Sequence, residues 1–545
     1  MTSLTQSRQR SVPTWVSVVL SELPLILGIS LFLYTLYFSL TQFPIALWKT
    51  YIGDAHGFRQ AQTLISAEYI LKGGPLLRYE TPVLGPPWSI PFEFPFYQWV
   101  VAFTSWISGW DIAPVGRIVS QAFFYASLPF FWVCVSELGL SILARWIFLS
   151  LLLSSPSYLF WSRTVMIEST ALFFSAAYLA FALRYLRKRG WANAGLTAVF
   201  GALAGAIKAT TWIGFLLAVF LATLVQIWQK RDRLKNIGTW LREWVPAGMI
   251  LAFIPLLATV QWTSFADQVK IKNPLANGFI NSRALRLWNF GTSAQRRSLD
   301  IWIHRVPSMF WEAMGTYWYV FVALGCTSLF LIRDRKDRVL AAGSLICFFG
   351  VYLIFTNLHI VHNYYQYANV VFFIAAFVFC INAALKDGRI WLRTSVVVLT
   401  SFLVVWSGHA SFQKTYLPMQ MEESNWVGLD YQMIQFVREH THPDEVLLMY
   451  GCDWSSELPY YMGRRAIMDN FDRDVGSTTM VESLRLLNLE GRRLGAVVSC
   501  RLASERMDGI LKRLGFSTQR QYGDPKSCQV YLPNDYLNGK RSSSS

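Results

Sequence analysis

Runs without Asp, Glu, Lys or Arg fill much of the chain up to residue 413. They cover 24–48, 94–110, 118–136, 146–162, 169–183, 190–207, 209–229, 244–266, 313–332, 339–385 and 394–413. A helix needs about 20 mostly apolar residues to cross roughly 30 Å of hydrocarbon, so these runs are read as membrane spans. The run 339–385 is too long for one helix. It breaks at Leu358-His359-Ile360-Val361-His362-Asn363 and gives two spans. The short run 94–110 contains Pro95 at its start and reads as a helix lying at the outer interface or dipping back. About eleven spans result, the first an uncleaved anchor.

From about Trp426 the pattern becomes that of a small soluble α/β unit. Helices are expected at 431–440, 478–490 and 504–514, and strands at 445–450, 495–500 and 528–532. Strands alternating with helices imply a parallel or mixed sheet. Its polar loop Gly451-Cys452-Asp453-Trp454-Ser455-Ser456-Glu457 follows a strand, where open sheets bind ligands, but it has no glycine-rich phosphate fingerprint. The expected division is a transmembrane unit at 1–410 and an α/β unit at 411–545, ending in a disordered serine tail.

Composition agrees. The 545 residues are 53% hydrophobic, 16% aromatic and 15% charged, against about 25% charged in soluble domains. This excludes a solvated globular enzyme and a disordered chain. The net charge of +16 reads as cationic inner loops before it reads as nucleic-acid binding. Four clusters carry much of it: Arg184 to Arg189, Lys230 to Lys235, Arg333 to Arg338, and Lys386 to Arg393. Even numbers of crossings separate them, so all fall on one side with Arg8 and Arg10. The N-terminus is then cytoplasmic and the α/β unit extracytoplasmic. Cys134, Cys326, Cys347 and Cys380 lie in spans as small apolar groups, whereas Cys452, Cys500 and Cys528 lie outside and allow one disulfide at most.

Three segments face outward: the loop 49–117, the loop 264–308 and the tail. The first holds Gly53-Asp54-Ala55-His56-Gly57-Phe58-Arg59, continuing as an amphipathic helix to about Lys72. Asp54 is either the cap of that helix or a site carboxylate. Glu168 opens an apolar span, where an acid is costly and usually functional, unless it pairs with Arg163. Lys208 stands alone between two apolar runs, where it either snorkels to the surface or meets an anionic headgroup. Glu93, between Pro91 and Pro95, is a site carboxylate or bonds neighbouring backbone. The loop 264–308 carries Lys270, Lys272, Arg283, Arg286, Arg296, Arg297 and Arg305 against Asp267 and Asp300. Such a loop is a surface patch or attracts phosphate-bearing lipids and anionic glycans. His359, His362, Tyr364 and Tyr365 gather at the outer mouth, where a substrate or phosphate contact is favoured over metal.

The ordered set Asp54, Phe92-Glu93-Phe94-Pro95 with Trp99, Arg163 with Glu168, Lys208, and His362 with Tyr364 and Tyr365 resembles the C-type membrane glycosyltransferases. Within them it is similar to the branch of aminoarabinose transferases and protein O-mannosyltransferases. The resemblance spans 20–410 and leaves the tail uncovered. It implies a polytopic α-helical enzyme, expected in a bacterial inner membrane, that takes a sugar from a polyprenyl phosphate. The acceptor would be a lipid, glycan or protein, with membrane lipids as further partners and no nucleic acid. Asp54 would remove the acceptor proton in an inverting displacement, and Glu168 would position the acceptor or share that role. Lys208, Arg59 and His362 would neutralise the leaving phosphate, with Tyr365, Arg283 and Arg286 as further donor contacts. His56, Glu93 and Arg163 would serve the acceptor or the structure. Many relatives have a second acid where Ala55 follows Asp54, which leaves metal dependence open. Asp54, His56 and Glu168 offer ligands for a divalent ion, but metal is not favoured and no cofactor is assigned.

The main rival is a transporter or flippase of lipid-linked sugars. It should place ionisable groups near the midplane on broken, repeated helices, whereas here they collect at outer ends without an internal repeat. A transferase-like scaffold that has lost activity is a third reading, and the presence of both Asp54 and Glu168 argues against it.

Overall fold

The computed structural model describes residues 14–47, 52, 55–230, 237–331, 334–421, 429–469, 471–500, 504–523 and 528–537. Asp54, Arg231, Arg233, Lys235 and Arg333 therefore lie outside the described residues, as do Arg8 and Arg10.

Among the described residues, seven helices are long and apolar enough to cross a membrane. They include α1 (Thr14–Leu47), α4 (Ile112–Leu138), α7 (Glu168–Arg187) and α8 (Trp191–Lys230), followed by Ile237–Lys270, Arg335–Ile354 and Ile390–Met421. Shorter apolar helices lie at α5 (Ile142–Ser154), Trp318–Thr327 and Val370–Leu385. Every run predicted to span falls on one of these helices. Leu33, Tyr37, Phe220, Val260, Phe402 and Trp406 point outward from them. So much exposed apolar surface suits lipid rather than water. The chain is an integral membrane protein.

The segment α8 shows why two spans are predicted where one helix is traced. Lys208 has non-helical backbone angles, φ −159° and ψ 91°. A straight helix of 40 residues would be about 60 Å long, yet its two ends meet one acid. Arg189, just before α8, lies 3.7 Å from Glu243, and Lys230 at its end lies 2.5 Å from the same side chain. The segment is a hairpin with Lys208 at its apex. The Ala206 carbonyl accepts a hydrogen bond from Phe94 N (3.1 Å), satisfying a backbone group freed by the break.

The end that holds Glu243, away from the apex, gathers the other basic clusters. Glu137 pairs with Arg187 at 2.8 Å and Arg184 at 3.5 Å. Asp337 pairs with Lys386 at 3.3 Å and accepts from Asn382, whose side-chain oxygen accepts from Ser141 N. Residues from four separate positive clusters thus share one end of the bundle, as the charge pattern predicts.

The opposite end carries α2 (Gly57–Leu71), α3 (Phe96–Ser108) and the α/β unit. Phe103, Trp106 and Ile107 are exposed along α3, which suits the interfacial helix expected there. The sheet is built from β1 (Val446–Tyr450), β2 (Arg465–Met468), β3 (Leu494–Cys500), β4 (Tyr522–Gly523) and β5 (Cys528–Tyr531), in the order β2-β1-β3-β5-β4. β1 runs parallel to both β2 and β3, while β5 is antiparallel to β3 and β4. Leu447, Leu448, Ile467, Val497 and Val530 are fully buried between the helices. A disulfide joins the paired residues Cys500 and Cys528.

β2 is not left as an open edge, a hazard for unwanted pairing. Residues of the first outer loop cover it: Ala466 N donates to Pro82 O (2.9 Å), Gly85 N to Ala466 O (3.0 Å) and Met468 N to Val83 O (3.0 Å). The second outer loop joins through Asn273, whose amide donates to the carbonyls of Leu84, Gly85 and Pro87. The three outward segments named from the sequence form one body over the helix ends.

Candidate functional site

Glu168 is the first residue of α7 and is 2% exposed. Its Oε1 meets Lys208 Nζ from the apex of α8. The helix break brings the lysine to this end of the bundle, and α7 brings the acid from 40 residues away in the chain. Lys208 Nζ also lies 5.2 Å from the Tyr364 ring centre and 4.7 Å from that of Tyr365. Both rings come from the short 3-10 turn Asn363–Ala368, and their faces attract the ammonium. Glu168 Oε2 has no hydrogen-bond partner among the described residues. The alternative pairing of Glu168 with Arg163 is not what forms. Arg163 is buried elsewhere, donates to Ser39 O at 2.6 Å and lies over the Phe412 ring.

A second ion pair lies beside the first. Arg59 on α2 meets Glu93 and donates to Gln62 Oε1 at 2.6 Å. The Glu93 backbone carbonyl accepts from the Tyr79 hydroxyl at 3.1 Å. The Arg59 charge feels Glu168, Tyr364 and Tyr365 as well as Glu93, so both pairs belong to one cluster.

His56, just before α2, adopts the left-handed conformation at φ 48° and ψ 45°. Its ring centre is 4.9 Å from Tyr364, 5.1 Å from His362 and 5.7 Å from Trp161. Burial holds the His56 imidazole below its ordinary pKa, opposed by the Asn363 hydrogen bond and the Glu168 charge. Burial, then the charges of His56, Arg59 and Lys208, pushes His362 down to about 4. His362 is therefore neutral at neutral pH, and burial biases His56 the same way.

The α/β unit closes over these residues. Trp454 sits 4.8 Å from Phe279, 5.6 Å from Phe92 and 6.2 Å from Phe58, ring centre to ring centre. Tyr461 OH accepts from Ile52 N at 2.8 Å. A side chain at Gly57 would collide with the Glu457 carboxylate, so glycine permits this close approach. Arg283 and Arg286 are exposed on the helix Arg283–Phe290, and Arg286 bonds Asn281 at 3.1 Å. That helix approaches the cluster through Trp288, 6.3 Å from His362. Asp54 lies outside the described residues; His56 and Arg59, its near neighbours in sequence, open on the cluster.

Sequence reasoning passed over Glu312. It is 4% exposed in the helix Val306–Met314 and accepts from the Tyr416 hydroxyl and, at 3.3 Å, from Asn363 Nδ2. Burial raises its carboxyl to about 7 against those two hydrogen bonds. With Arg305, His359, Asn363 and Gln366 it lines a cavity of about 330 Å³. The signal was present, since Glu312 is a lone acid opening an apolar run, as Glu168 is.

Residues 98–271 match the family model of dolichyl-phosphate-mannose-protein mannosyltransferases. The match covers Glu168 and Lys208. Among solved structures, ArnT from Cupriavidus metallidurans bound to undecaprenyl phosphate is similar over 95% of this chain and 98% of its own, with TM-score 0.58 and 13% identity. The oligosaccharyltransferase AglB from Archaeoglobus fulgidus, in complex with an inhibitory peptide and a dolichol-phosphate, is similar over 87% of this chain and 69% of its own, with TM-score 0.53 and 11% identity. No curated protein sequence matches the chain. The chain is a membrane protein with the fold of the C-type glycosyltransferases and, across residues 98–271, the sequence pattern of the protein mannosyltransferases.

Proposed function

We propose that the protein transfers a sugar from a polyprenyl phosphate to an acceptor hydroxyl by inverting displacement. The observation that carries this is the buried Lys208–Glu168 pair under Tyr364 and Tyr365, beside the Arg59–Glu93 pair. Each cation rests on a carboxylate. A lipid phosphate entering between them offers Lys208 and Arg59 a competing anion and releases Glu168 toward the acceptor. Asp54 takes the acceptor proton as its oxygen attacks the anomeric carbon. The bond from that carbon to the phosphate oxygen breaks, and the charge left on the phosphate is held by Lys208 and Arg59. His362, neutral at pH 7, meets the phosphate through a hydrogen bond rather than a charge, with Tyr365 alongside. Exposed Arg283 and Arg286 attract anionic substrate at the mouth, and Arg163 serves the structure.

With α8 counted as a hairpin, the chain would cross the membrane eleven times. The basic end is cytoplasmic by the positive-inside tendency. The site and the tail then lie on the extracytoplasmic side, in keeping with the Cys500–Cys528 disulfide and an oxidising compartment. A bacterial inner membrane and a lipid, glycan or protein acceptor complete the reading. The test is to incubate purified protein with a panel of polyprenyl-phosphate sugars and measure released polyprenyl phosphate. Turnover of one donor, lost in Asp54→Asn while the protein stays folded, is expected; turnover unchanged in that variant removes the base assignment. Cysteines replacing Arg187 and His440 test the sidedness. Only the latter should react with an impermeant thiol reagent in intact cells, and the opposite pattern reverses the orientation.

A further inference from the structure

Two side chains, His56 and Asn363, connect the cluster to the second buried acid. His56 Nε2 lies 3.0 Å from Asn363 Oδ1, and Asn363 Nδ2 donates to Glu312 Oε1 at 3.3 Å. The remaining Glu312 oxygen accepts from the Tyr416 hydroxyl. Above about pH 7, where Glu312 is ionised, its carboxylate offers only acceptors, so the nitrogen of the Asn363 amide faces it. The amide oxygen then faces His56, and an acceptor at that place requires the imidazole proton on Nε2. Nδ1 keeps its lone pair, and among the described residues no group is bonded to it.

We propose that Glu312 is a positioning residue which, through Asn363, fixes His56 with its proton on Nε2 so that Nδ1 accepts a hydrogen bond from a hydroxyl of the bound sugar or acceptor. This rests on the transferase reading above, and adds a polar contact to a hydroxylated substrate that neither the charges nor Asp54 supply. Several details agree. His56 is flanked by Tyr364, His362 and Trp161, with Glu168 close enough for its charge to be felt. Glu312 is buried and bonded through both oxygens, which fixes its plane. The relay borders the cavity of about 330 Å³ that Glu312 and Asn363 both line. Such outer hydrogen bonds set the tautomer of a histidine and the direction in which its free nitrogen points.

The substitution Glu312→Gln tests this directly. A glutamine amide can turn its nitrogen toward Asn363, letting the Asn363 amide flip and present nitrogen to His56, which moves the imidazole proton to Nδ1. Turnover should then fall about 10- to 100-fold, the cost typical of removing such an outer partner. The double variant Glu312→Gln with Asn363→Asp restores the direction of the relay, because the glutamine nitrogen donates to the aspartate and the aspartate accepts from His56 Nε2. Its turnover should recover to within a few-fold of wild type. Nitrogen-15 spectra of ring-labelled His56 at pH 8, assigned by its replacement, should show the proton on Nε2 in wild type and in the double variant, and on Nδ1 in Glu312→Gln. Tyr416→Phe, which removes a Glu312 bond but leaves the relay, should not move the proton. A wild-type proton on Nδ1, an unshifted tautomer in Glu312→Gln, or folded variants without rescue would each overturn the proposal. The wild-type spectrum decides even if Glu312→Gln fails to fold. The tautomer is read without turnover, so failure of the relay is separable from failure of the transferase reading.

Discussion

The two ends of the helical bundle hold the same kind of ion pair in opposite surroundings. Lys230 and Glu243 meet at 2.5 Å with side chains 38% and 27% exposed, whereas Lys208 and Glu168 meet with side chains 5% and 3% exposed. A partly exposed pair contributes about 0 to 1 kcal/mol. Burying two charges costs several kcal/mol per ion, which only good mutual geometry offsets. The first pair follows from the charges that orient the chain. The second has no such explanation, and it is there, beside Tyr364 and Tyr365, that the proposal places the chemistry.

The comparison can be broken from the buried side first. Glu168→Gln leaves the Lys208 ammonium buried without a counter-charge and should destabilise the protein by about 3 to 5 kcal/mol, read by thermal or denaturant unfolding in detergent. Adding Lys208→Met should recover most of that stability and none of the turnover. Full stability in the single variant would mean that water or another acid already serves Lys208.

Arg59→Ala comes next. It leaves Glu93, 23% exposed in its side chain, able to turn to solvent, so the expected loss is in donor affinity more than in folding, by about 1.5 to 3 kcal/mol for a charged hydrogen bond. Titration with a polyprenyl phosphate measures it, and unchanged affinity would assign Arg59 to structure.

Glu312 gives a pH dependence. Its folded value is raised to about 7 from 4.5, so the folded state holds this proton more tightly than the unfolded chain. Its contribution therefore falls as pH rises from about 4.5 through about 7, and levels off above. The lowered His362 acts in the opposite direction between about 4 and 6.5, so the quantity to follow is the stability of wild type minus that of Glu312→Gln. That difference should decline across the window; a flat difference would mean the carboxyl titrates normally.

The smallest effects belong to exposed charges. Lys230→Ala should change stability by less than about 1 kcal/mol. Neutralising Arg283 and Arg286 should weaken donor binding a few-fold at low salt and hardly at all at high salt, since such attraction is screened beyond about 10 Å at 0.1 M salt.

Much of this fold was legible because a bilayer imposes length and composition on each helix. The two runs flanking Lys208, the basic end and the short helix opened by Pro95 all followed from charge and hydropathy. β2 and β4 did not, being four and two residues long; β2 is held by residues 82–85, far away in sequence, and β4, though paired with the nearby β5, is too short to show a period. Within the site, lone polar residues beside apolar runs announced Glu168, Lys208 and His362, but not their pairing. Nothing local distinguishes Lys208 from Arg163 as the partner of Glu168, since the hairpin that decides it is a packing event. The left-handed His56 and its relay to Glu312 likewise exist only once helices distant in sequence meet.

The central claim is that chemistry resides at the buried pair and orientation at the exposed one. Donor turnover should therefore be compared between two double variants, Glu168→Gln with Lys208→Met and Glu243→Gln with Lys230→Met, both confirmed folded. The account predicts a loss of about a hundred- to a thousand-fold in the first, the scale of removing transition-state charge stabilisation, and turnover within a few-fold of wild type in the second. Equal turnover in the two, or a greater loss in the second, would contradict it.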